Sequence, residues 1–476
     1  LHLDLGKHLD WGYTSVPPVT AWISFIIIHL GNSVFLVKFF PALFGALTIL
    51  VVWKTIEELN GNLFALILGS VSVTFSVLLR INTLYQPNSL EYLLWTLLFF
   101  AIVKFINSEN NKWLWVASVT FAYGFLNKYN ITFLILGFLP ALLITSHRKI
   151  LLNKQLYFSL LVALLIVSPN LIWQYKNDFP VFHHLKTLAE TQLVNVNRFD
   201  FLKEQLLFFT GSLFVIVLAF VSFFVYAPFR KYQIFFWSTV FTLAIFIYFK
   251  AKGYYAIGLY PVLLAFGSVY LEKLLRKGCL RYLQPVAVLI PIALMVLIFQ
   301  YVLPVLSPEG IIKKTEIFEK IGLLRWEDGQ NHQLPQDFAD MLGWKELAGI
   351  VDEVFETIDN KENTIIHCDN YGQAGAINFY TKQKYTQAVS MNADYINWYP
   401  LDEMEIKNVI MVKEIYDEDK NRDRERAFFE SVTLAGEITN QYAREKGTRV
   451  YLLKNAKISV NDILKAEILE RKNKKF

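Results

Sequence analysis

Acidic side chains are scarce over the first 304 residues, so each one there is informative. That stretch holds 11 Asp and Glu against 22 Lys and Arg, while residues 305–476 hold 30 acids and 24 bases. Glu91 is the most telling, because it falls in the first turn of an apolar helix just after Gln86-Pro87-Asn88-Ser89. One reading is a capping box, with Asn88 as the N-cap and Glu91 three residues on, accepting a backbone N–H. The other is a carboxylate held at the mouth of a bundle cavity, since ionisable groups within a membrane mark functional sites. Both readings stand at this point. Lys250 and Lys252, in Phe249-Lys-Ala-Lys-Gly-Tyr-Tyr255, join Arg80 and Lys128 as cations beside apolar spans. Lysines at helix ends often only snorkel. Four cations grouped on one face suit a lipid phosphate, held by charge-assisted hydrogen bonds. A third candidate is His8-Leu-Asp-Trp-Gly-Tyr-Thr-Ser-Val-Pro-Pro18, which leads into an amphipathic stretch over 19–30 too short to span a membrane. It is either an interfacial helix anchored by Trp11 and Trp22 or a loop folded over a site at the membrane surface. In the second case His8, Tyr13, Pro17 and Pro18 are the loop's site residues.

Other signals carry less. His183 and His184 are adjacent, so they do not share a helix face as paired ligands would, and no metal site is expected. The glycines of Asn370-Tyr-Gly-Gln-Ala-Gly-Ala376 fit neither a P-loop nor a dinucleotide fingerprint. They open a helix after a strand, with Asn370 as its cap. Cys368 beside His367 lacks any acyl-transfer context. Cys279 and Cys368 lie in different parts of the chain, which excludes a disulfide framework and a zinc spacing. No cofactor is expected.

These residues must be positioned by apolar helices. A membrane helix needs about 20 mainly apolar residues, and runs near 35–57, 62–80, 88–107, 155–173, 201–228, 233–250, 254–273 and 283–304 qualify. Two shorter runs, 113–126 and 131–146, flank the polar knot Asn127-Lys128-Tyr129-Asn130. About ten crossings result, and both chain ends fall on one side. Basic loop residues set the orientation. Arg148, Lys149, Lys154, Arg230, Lys231, Lys273, Arg276, Lys277 and Arg281, with Lys54, Lys104 and Lys112, occupy one face and make up 12 of the 22 bases. That face is the cytoplasmic one. The other carries residues 1–33, 80–88, the 127–130 knot, 174–200, 250–253 and the tail. The basic excess lies between apolar runs and forms no patch, which excludes a nucleic-acid binder.

Residues 305–476 are polar and net negative. Positions 337–358 have helical apolar spacing, 364–367 a short strand, 371–380 a helix, and 408–412 and 449–453 two further strands. This alternation reads as a small α/β domain, ending in a frayed Lys-rich terminus at 471–475. The fold class is thus a polytopic α-helical membrane protein with a small C-terminal α/β extracytoplasmic domain. Its divisions are a first extracytoplasmic loop with interfacial helices at 1–34, a transmembrane bundle at 35–304 and a soluble domain at 305–476. The chain opens at Leu1 with no methionine and no preceding apolar span, so an upstream helix, the eleventh segment, is expected.

Four segments occur in an order that resembles one family. They are residues 8–18, Gln86-Pro-Asn-Ser-Leu-Glu-Tyr-Leu-Leu-Trp95, Leu126-Asn-Lys-Tyr129 and Lys252-Gly-Tyr-Tyr-Ala-Ile-Gly-Leu-Tyr-Pro261. Together they are similar to bacterial membrane glycosyltransferases of the protein-mannosyltransferase and aminoarabinose-transferase type (family 39-like), which have a GT-C fold. Pro335-Gln-Asp-Phe-Ala-Asp-Met-Leu-Gly-Trp344 and residues 370–376 resemble the extracytoplasmic tail of one bacterial branch. The resemblance implies transfer of a sugar, with inversion, from a polyprenyl-phosphate-linked donor to a lipid, glycan or protein acceptor. The expected place is the outer face of the cytoplasmic membrane. A lipid phosphate leaves without a general acid, cations stabilise it, and a carboxylate deprotonates the acceptor hydroxyl. In this family the principal acid is an Asp in the first external loop, which the resemblance puts just ahead of Leu1. Neither Asp4 nor Asp10 matches it. Glu91 matches a second acidic position and is the catalytic residue expected in this chain, and Lys128, Lys252 and Tyr255 match positions near the lipid-phosphate pocket.

Two other classes compete. A lipid-linked-sugar transporter or flippase would use the same cationic cavity, but it should show inverted repeats and paired broken helices; only the break at 127–130 is visible. An inactive envelope-assembly scaffold would need no catalytic acid. The alternation of basic loops gives a first prediction. Reporters fused at residue 310 and within 148–154 should give opposite signals, extracytoplasmic for the first and cytoplasmic for the second. Equal signals would overturn the orientation.

Overall fold

The computed structural model describes residues 1–191, 193–383 and 387–474. It divides into two compact units. Leu9–Gly12 and Val16–Val305 form a helical unit, and Leu1–His8, Tyr13–Ser15 and Leu306–Phe476 form a second.

The helical unit is a multi-pass membrane bundle. Among the described residues, five of its helices are long and apolar enough to cross a bilayer: Val34–Glu58, Asn88–Ser108, Lys154–Lys176, Gly253–Leu274 and Gly278–Val302. The number rises to seven if each bent pair, Ile131–Ile144 with Ser146–Leu152 and Arg198–Phe208 with Thr210–Val225, is one span. Lys112–Asn127 and Gln233–Tyr248 have 16 residues each and Leu63–Thr74 has 12. Length alone therefore does not reach the ten crossings expected from hydropathy. Polar caps fix where several helices begin. Ser33 accepts from the Leu36 N–H, Asn62 from Ala65 and Asn153 from Gln155, each satisfying a donor that lipid would leave unpaired.

Burial separates lipid-facing helices from the bundle centre. In Gly253–Leu274, 83% of the apolar window is buried, against 17% in Val34–Glu58. The central helix packs against Leu213–Val225, Leu63–Thr74, Val34–Glu58 and Asn88–Ser108. Rings of Phe99, Phe235 and Phe266 stack edge-on and tilted at 5.4–5.5 Å. Lipid tails are as apolar as leucine, so close approach through small residues drives such packing. A Cβ at Gly267 would fall on the Val215 carbonyl, and one at Gly137 on the Thr242 backbone.

In the second unit, five strands pair in the order β2-β1-β3-β5-β4. They are β1 (Thr364–Cys368), β2 (Ala388–Ser390), β3 (Asn408–Lys413), β4 (Phe429–Glu437) and β5 (Arg449–Ala456). The first three pair in parallel and the last two antiparallel. Alternate residues serve opposite faces. Ile366, Cys368 and Ile410 meet the helices Trp344–Glu356 and Tyr371–Tyr380, whereas Ile365, Val409 and Leu453 meet Val460 and Leu464 of the last helix, Val460–Lys474. The helix at Tyr371–Tyr380 has its expected cap: Asn370 accepts from the Gln373 N–H in a full capping box. The apolar run at 337–358 is two helices, Gln336–Ala339 and Trp344–Glu356, divided by Gly343 at φ +84. The end expected to fray is helical through Lys474.

These contacts separate two glycines by environment. Gly267→Val should lower the unfolding midpoint of the detergent-purified chain, by about 1–3 kcal/mol of overpacking. Nothing lies within 4 Å of a Cβ at Gly349, so Gly349→Ala should be neutral or stabilise slightly. Equal responses would contradict the packing described.

Candidate active site

Three connections of the helical unit converge on Glu91. The first is the start of Asn88–Ser108, where Pro87 is the N-cap at φ −59 and the Glu91 N–H bonds the Pro87 carbonyl at 3.0 Å. The second is the 127–130 knot. Lys128 takes an extended backbone, φ −162 and ψ 126, which ends Lys112–Asn127, and Asn130 precedes Ile131–Ile144 without a side-chain cap bond. Asn127 Nδ2 ties the knot to the Pro87 carbonyl at 2.9 Å. The third is the tight helical turn Gly253–Leu259.

The capping box at Glu91 is not formed. Asn88 is the first helical residue, with no side-chain cap bond at this terminus, because its carboxamide is engaged elsewhere: Lys128 Nζ donates to Asn88 Oδ1 at 2.7 Å. The same ammonium donates to Glu91 Oε2 at 2.9 Å, and Asn130 Nδ2 donates to Glu91 Oε1 at 2.6 Å. Both carboxylate oxygens are thus taken by the knot. The side chains of Glu91 and Lys128 are 1% and 21% exposed. The acid is sealed in, and the base is the partner that reaches the surface.

Aromatic rings complete the cluster. Lys128 Nζ lies 4.7 Å from the Tyr255 ring centre and 5.3 Å from that of Tyr254, within cation–π range. Asn130 Nδ2 also donates to the Tyr255 carbonyl at 3.1 Å, and the Tyr92 hydroxyl to the Tyr254 carbonyl at 2.9 Å. Gln205 Nε2 holds the Gly253 carbonyl at 3.1 Å. A Cβ at Gly253 would meet the Glu204 carboxylate, which would have to turn aside. On the flank, Tyr129 donates to Asn170 Oδ1 at 3.0 Å, and Asn170 Nδ2 to the Trp11 carbonyl at 2.7 Å. Trp173 Nε1 donates to Asp10 at 2.7 Å, fixing residues 9–12 on the helix Lys154–Lys176.

Glu91, Lys128 and Tyr255 are therefore brought together. Lys252 immediately precedes the turn bearing Tyr254 and Tyr255, and Lys250 sits two residues earlier at φ +51. Arg80 is held differently, with Nη1 on the Val302 carbonyl at 2.7 Å. Its neighbour Lys38, which donates to the Thr83 carbonyl at 2.7 Å, was not among the expected site residues; a lysine within the first turns of an apolar span was the available signal. Asn130 was likewise legible only as part of a polar break. Pro17 precedes Pro18, which caps the helix Val19–His29. His8 and Tyr13 belong to the second unit. His8 stacks on Trp398 at 4.3 Å, and burial holds its imidazole below the ordinary value. With Gln387, Tyr399 and Glu403 these rings line a cavity of about 800 Å³. The Tyr13 hydroxyl donates to the His8 carbonyl at 2.8 Å.

Residues 15–173 match the dolichyl-phosphate-mannose-protein mannosyltransferase family. The matched stretch contains Glu91 and Lys128 and stops short of Tyr254. ArnT from Cupriavidus metallidurans bound to undecaprenyl phosphate superposes with a TM-score of 0.60 at 12% identity, over 95% of this chain and 92% of that one. The chain has a GT-C fold. The apo state of the same ArnT gives 0.58 at 12% identity, over 95% and 91%. In sequence, the lipid A galacturonosyltransferase RgtD of Rhizobium johnstonii is 23% identical over 218 residues, covering 44% of each chain. The similarity thus spans less than half the length of that relative. The GT-C expectation drawn from motifs along the chain agrees with these matches.

The ion pair sets a test of its own. Removing one member of a buried pair strands the other, at about 3 kcal/mol here, the lower end of the usual range because Lys128 keeps some solvent. Glu91→Leu and Lys128→Leu should each destabilise the purified chain by about that much, and the double variant by less than their sum. Simple additivity in thermal unfolding would show that the two do not depend on each other.

Proposed function

We propose that this chain is an inverting membrane glycosyltransferase, moving a sugar from a polyprenyl-phosphate-linked donor to a lipid, glycan or protein acceptor. The observation that carries the reading is the ammonium of Lys128. It is anchored from below by a buried carboxylate and flanked by two tyrosine rings, where three bundle connections meet. The undecaprenyl phosphate bound in ArnT and the dolichyl-phosphate-mannose family match support the donor class. The lipid A galacturonosyltransferase relative supports a lipid acceptor among the three. The site is assigned to the outer face of the cytoplasmic membrane, with residues 305–476 extracytoplasmic; the alternation of basic loops supports this.

In the transfer, the acceptor hydroxyl oxygen attacks the anomeric carbon from the side opposite the phosphate. The bond from that carbon to the phosphate oxygen breaks, and its electron pair leaves on polyprenyl phosphate. The hydroxyl proton passes to a carboxylate. Lys128, Lys252 and Tyr255 are assigned to the departing phosphate, with Lys250 beside them. A fixed cation stabilises the charge that develops there and needs no reorganisation at the moment of reaction. Glu91 is assigned a positioning role through Lys128: it is buried and both its oxygens are occupied. Arg80, with Nη1 on the Val302 carbonyl, is assigned a lesser part in donor binding, and His8, Tyr13, Pro17 and Pro18 are assigned to the substrate loop.

Lys128→Ala and Lys252→Ala should each weaken binding of a polyprenyl phosphate probe by about tenfold or more, the scale of one charged hydrogen bond. Arg80→Ala should change it little. Glu91→Gln keeps shape and one hydrogen bond but loosens Lys128, so donor affinity should fall with it. Unchanged probe affinity in both lysine variants, measured on purified protein by titration, would refute the donor assignment.

A further inference from the structure

Asn88–Ser108 has 21 residues, about 30 Å of helix, and Glu91 stands at its beginning. At its far end the chain turns through Glu109, at φ +52, before Lys112–Asn127 begins. A separate cavity of about 510 Å³ lies at this end. Ile102, Phe105, Trp113, Ala117, Phe138 and Leu142 make its wall. It exists because Ile131–Ile144 and Ser146–Leu152 are bent by 108°, with Thr145 extended between them. The second segment turns aside and leaves the space unfilled.

The mouth is polar. Glu109, Ser146, His147, Lys149 and Asn153 border it. His147 and Asn153 are already engaged, with the Lys231 carbonyl at 2.5 Å and with Asn111 at 2.7 Å. Lys112 lies over the Trp113 ring, and Lys104 pairs with Glu58. Glu109 and Lys149 are both exposed. Among the described residues neither forms an ion pair, although they have opposite charges and line one cavity.

The apolar wall of this cavity offers ordered water no partners. In a bilayer the available filler is a hydrocarbon chain, and the mouth then selects its headgroup. A purely anionic head would suit Lys149 but be repelled by Glu109. A choline head carries both charges yet has no N–H to donate. A phosphate bearing a primary ammonium satisfies both: its oxygens accept from Lys149 and its N–H groups donate to Glu109. We propose that this cavity is a binding site for phosphatidylethanolamine, with one acyl chain against the apolar wall and the headgroup between Lys149 and Glu109. The proposal is independent of the sugar-transfer reading, since it uses none of the residues around Glu91.

The test is native mass spectrometry of the full, delipidated chain, titrated with phosphatidylethanolamine, phosphatidylcholine and phosphatidylglycerol of matched chains. O-phosphoethanolamine serves as the soluble headgroup control. Phosphatidylethanolamine should bind about tenfold more tightly than either other lipid, and the soluble headgroup should not compete. Glu109→Gln, an exposed change that leaves the fold intact, should bring the ethanolamine-to-choline ratio to within about twofold. Ala117→Phe, which fills the wall, should weaken all three lipids. If that variant fails to fold, Lys149→Gln should weaken phosphatidylethanolamine and phosphatidylglycerol together. Equal binding of the ethanolamine and choline lipids would overturn the proposal. So would tightest binding of phosphatidylglycerol, effective competition by O-phosphoethanolamine, or an unchanged ratio in Glu109→Gln.

Discussion

A carboxylate with almost no solvent exposure must be paid for by its neighbours, and Glu91 is answered on both oxygens by residues from one short break in another helix. Lys128 neutralises its charge, and Asn130 takes the second oxygen. Isolated burial of either ion would cost several kcal/mol, so the two can exist only together. This requirement reaches outward. The knot must leave helical geometry at Lys128, the helix Asn88–Ser108 must begin at Pro87, and the turn after Lys252 must come close enough for its tyrosine rings to cover the ammonium. Asn127 on the Pro87 carbonyl and Asn130 on the Tyr255 carbonyl hold these three pieces in register.

The arrangement divides labour between acid and base. Because the acid is sealed and the base is partly open, the pair presents a cation to whatever approaches, although its net charge is zero. Lysine is a compact point charge on a flexible stem. Here the stem has lost its freedom: Asn88, Glu91 and two aromatic faces fix the ammonium from several directions. The central helix supports this by being buried along most of its length, so the turn that opens it at Gly253 has a rigid base.

Much of this was readable in the sequence because a membrane makes polar residues conspicuous. Glu91, the 127–130 knot and Lys252-Gly-Tyr-Tyr255 stand out against apolar runs, and alternating basic loops put them on one face. The partnership between them was not readable. Asn88 and Glu91 have capping-box spacing, and only the tertiary approach of Lys128, 37 residues away from Glu91, draws both side chains from the backbone. The bond from Arg80 to the Val302 carbonyl, more than 200 residues on, was likewise not readable. In the second unit, β1, β3 and β5 carry apolar runs and were legible. β2 has only three residues, and β4 is an edge strand with most of its side chains exposed, so neither has the apolar alternation that identifies a half-buried strand. Gly343 at positive φ broke an otherwise continuous helical pattern for a backbone reason that periodicity does not register.

The second unit is stitched from both ends of the chain. Asp4, 4% exposed, accepts from Asn378 at 2.8 Å and from the Tyr395 hydroxyl at 2.6 Å, across 374 and 391 residues. Asp394 in turn accepts from the Thr14 N–H and the Ser15 hydroxyl at 2.7 and 3.1 Å. Residues 4–15 are made before the bundle and residues 378–395 after it. Contacts so remote in sequence form late, because a long loop must close before they contribute anything. During synthesis residues 4–15 therefore wait without their partners, and the α/β unit can assemble fully only after the bundle and residues 378–395 have followed.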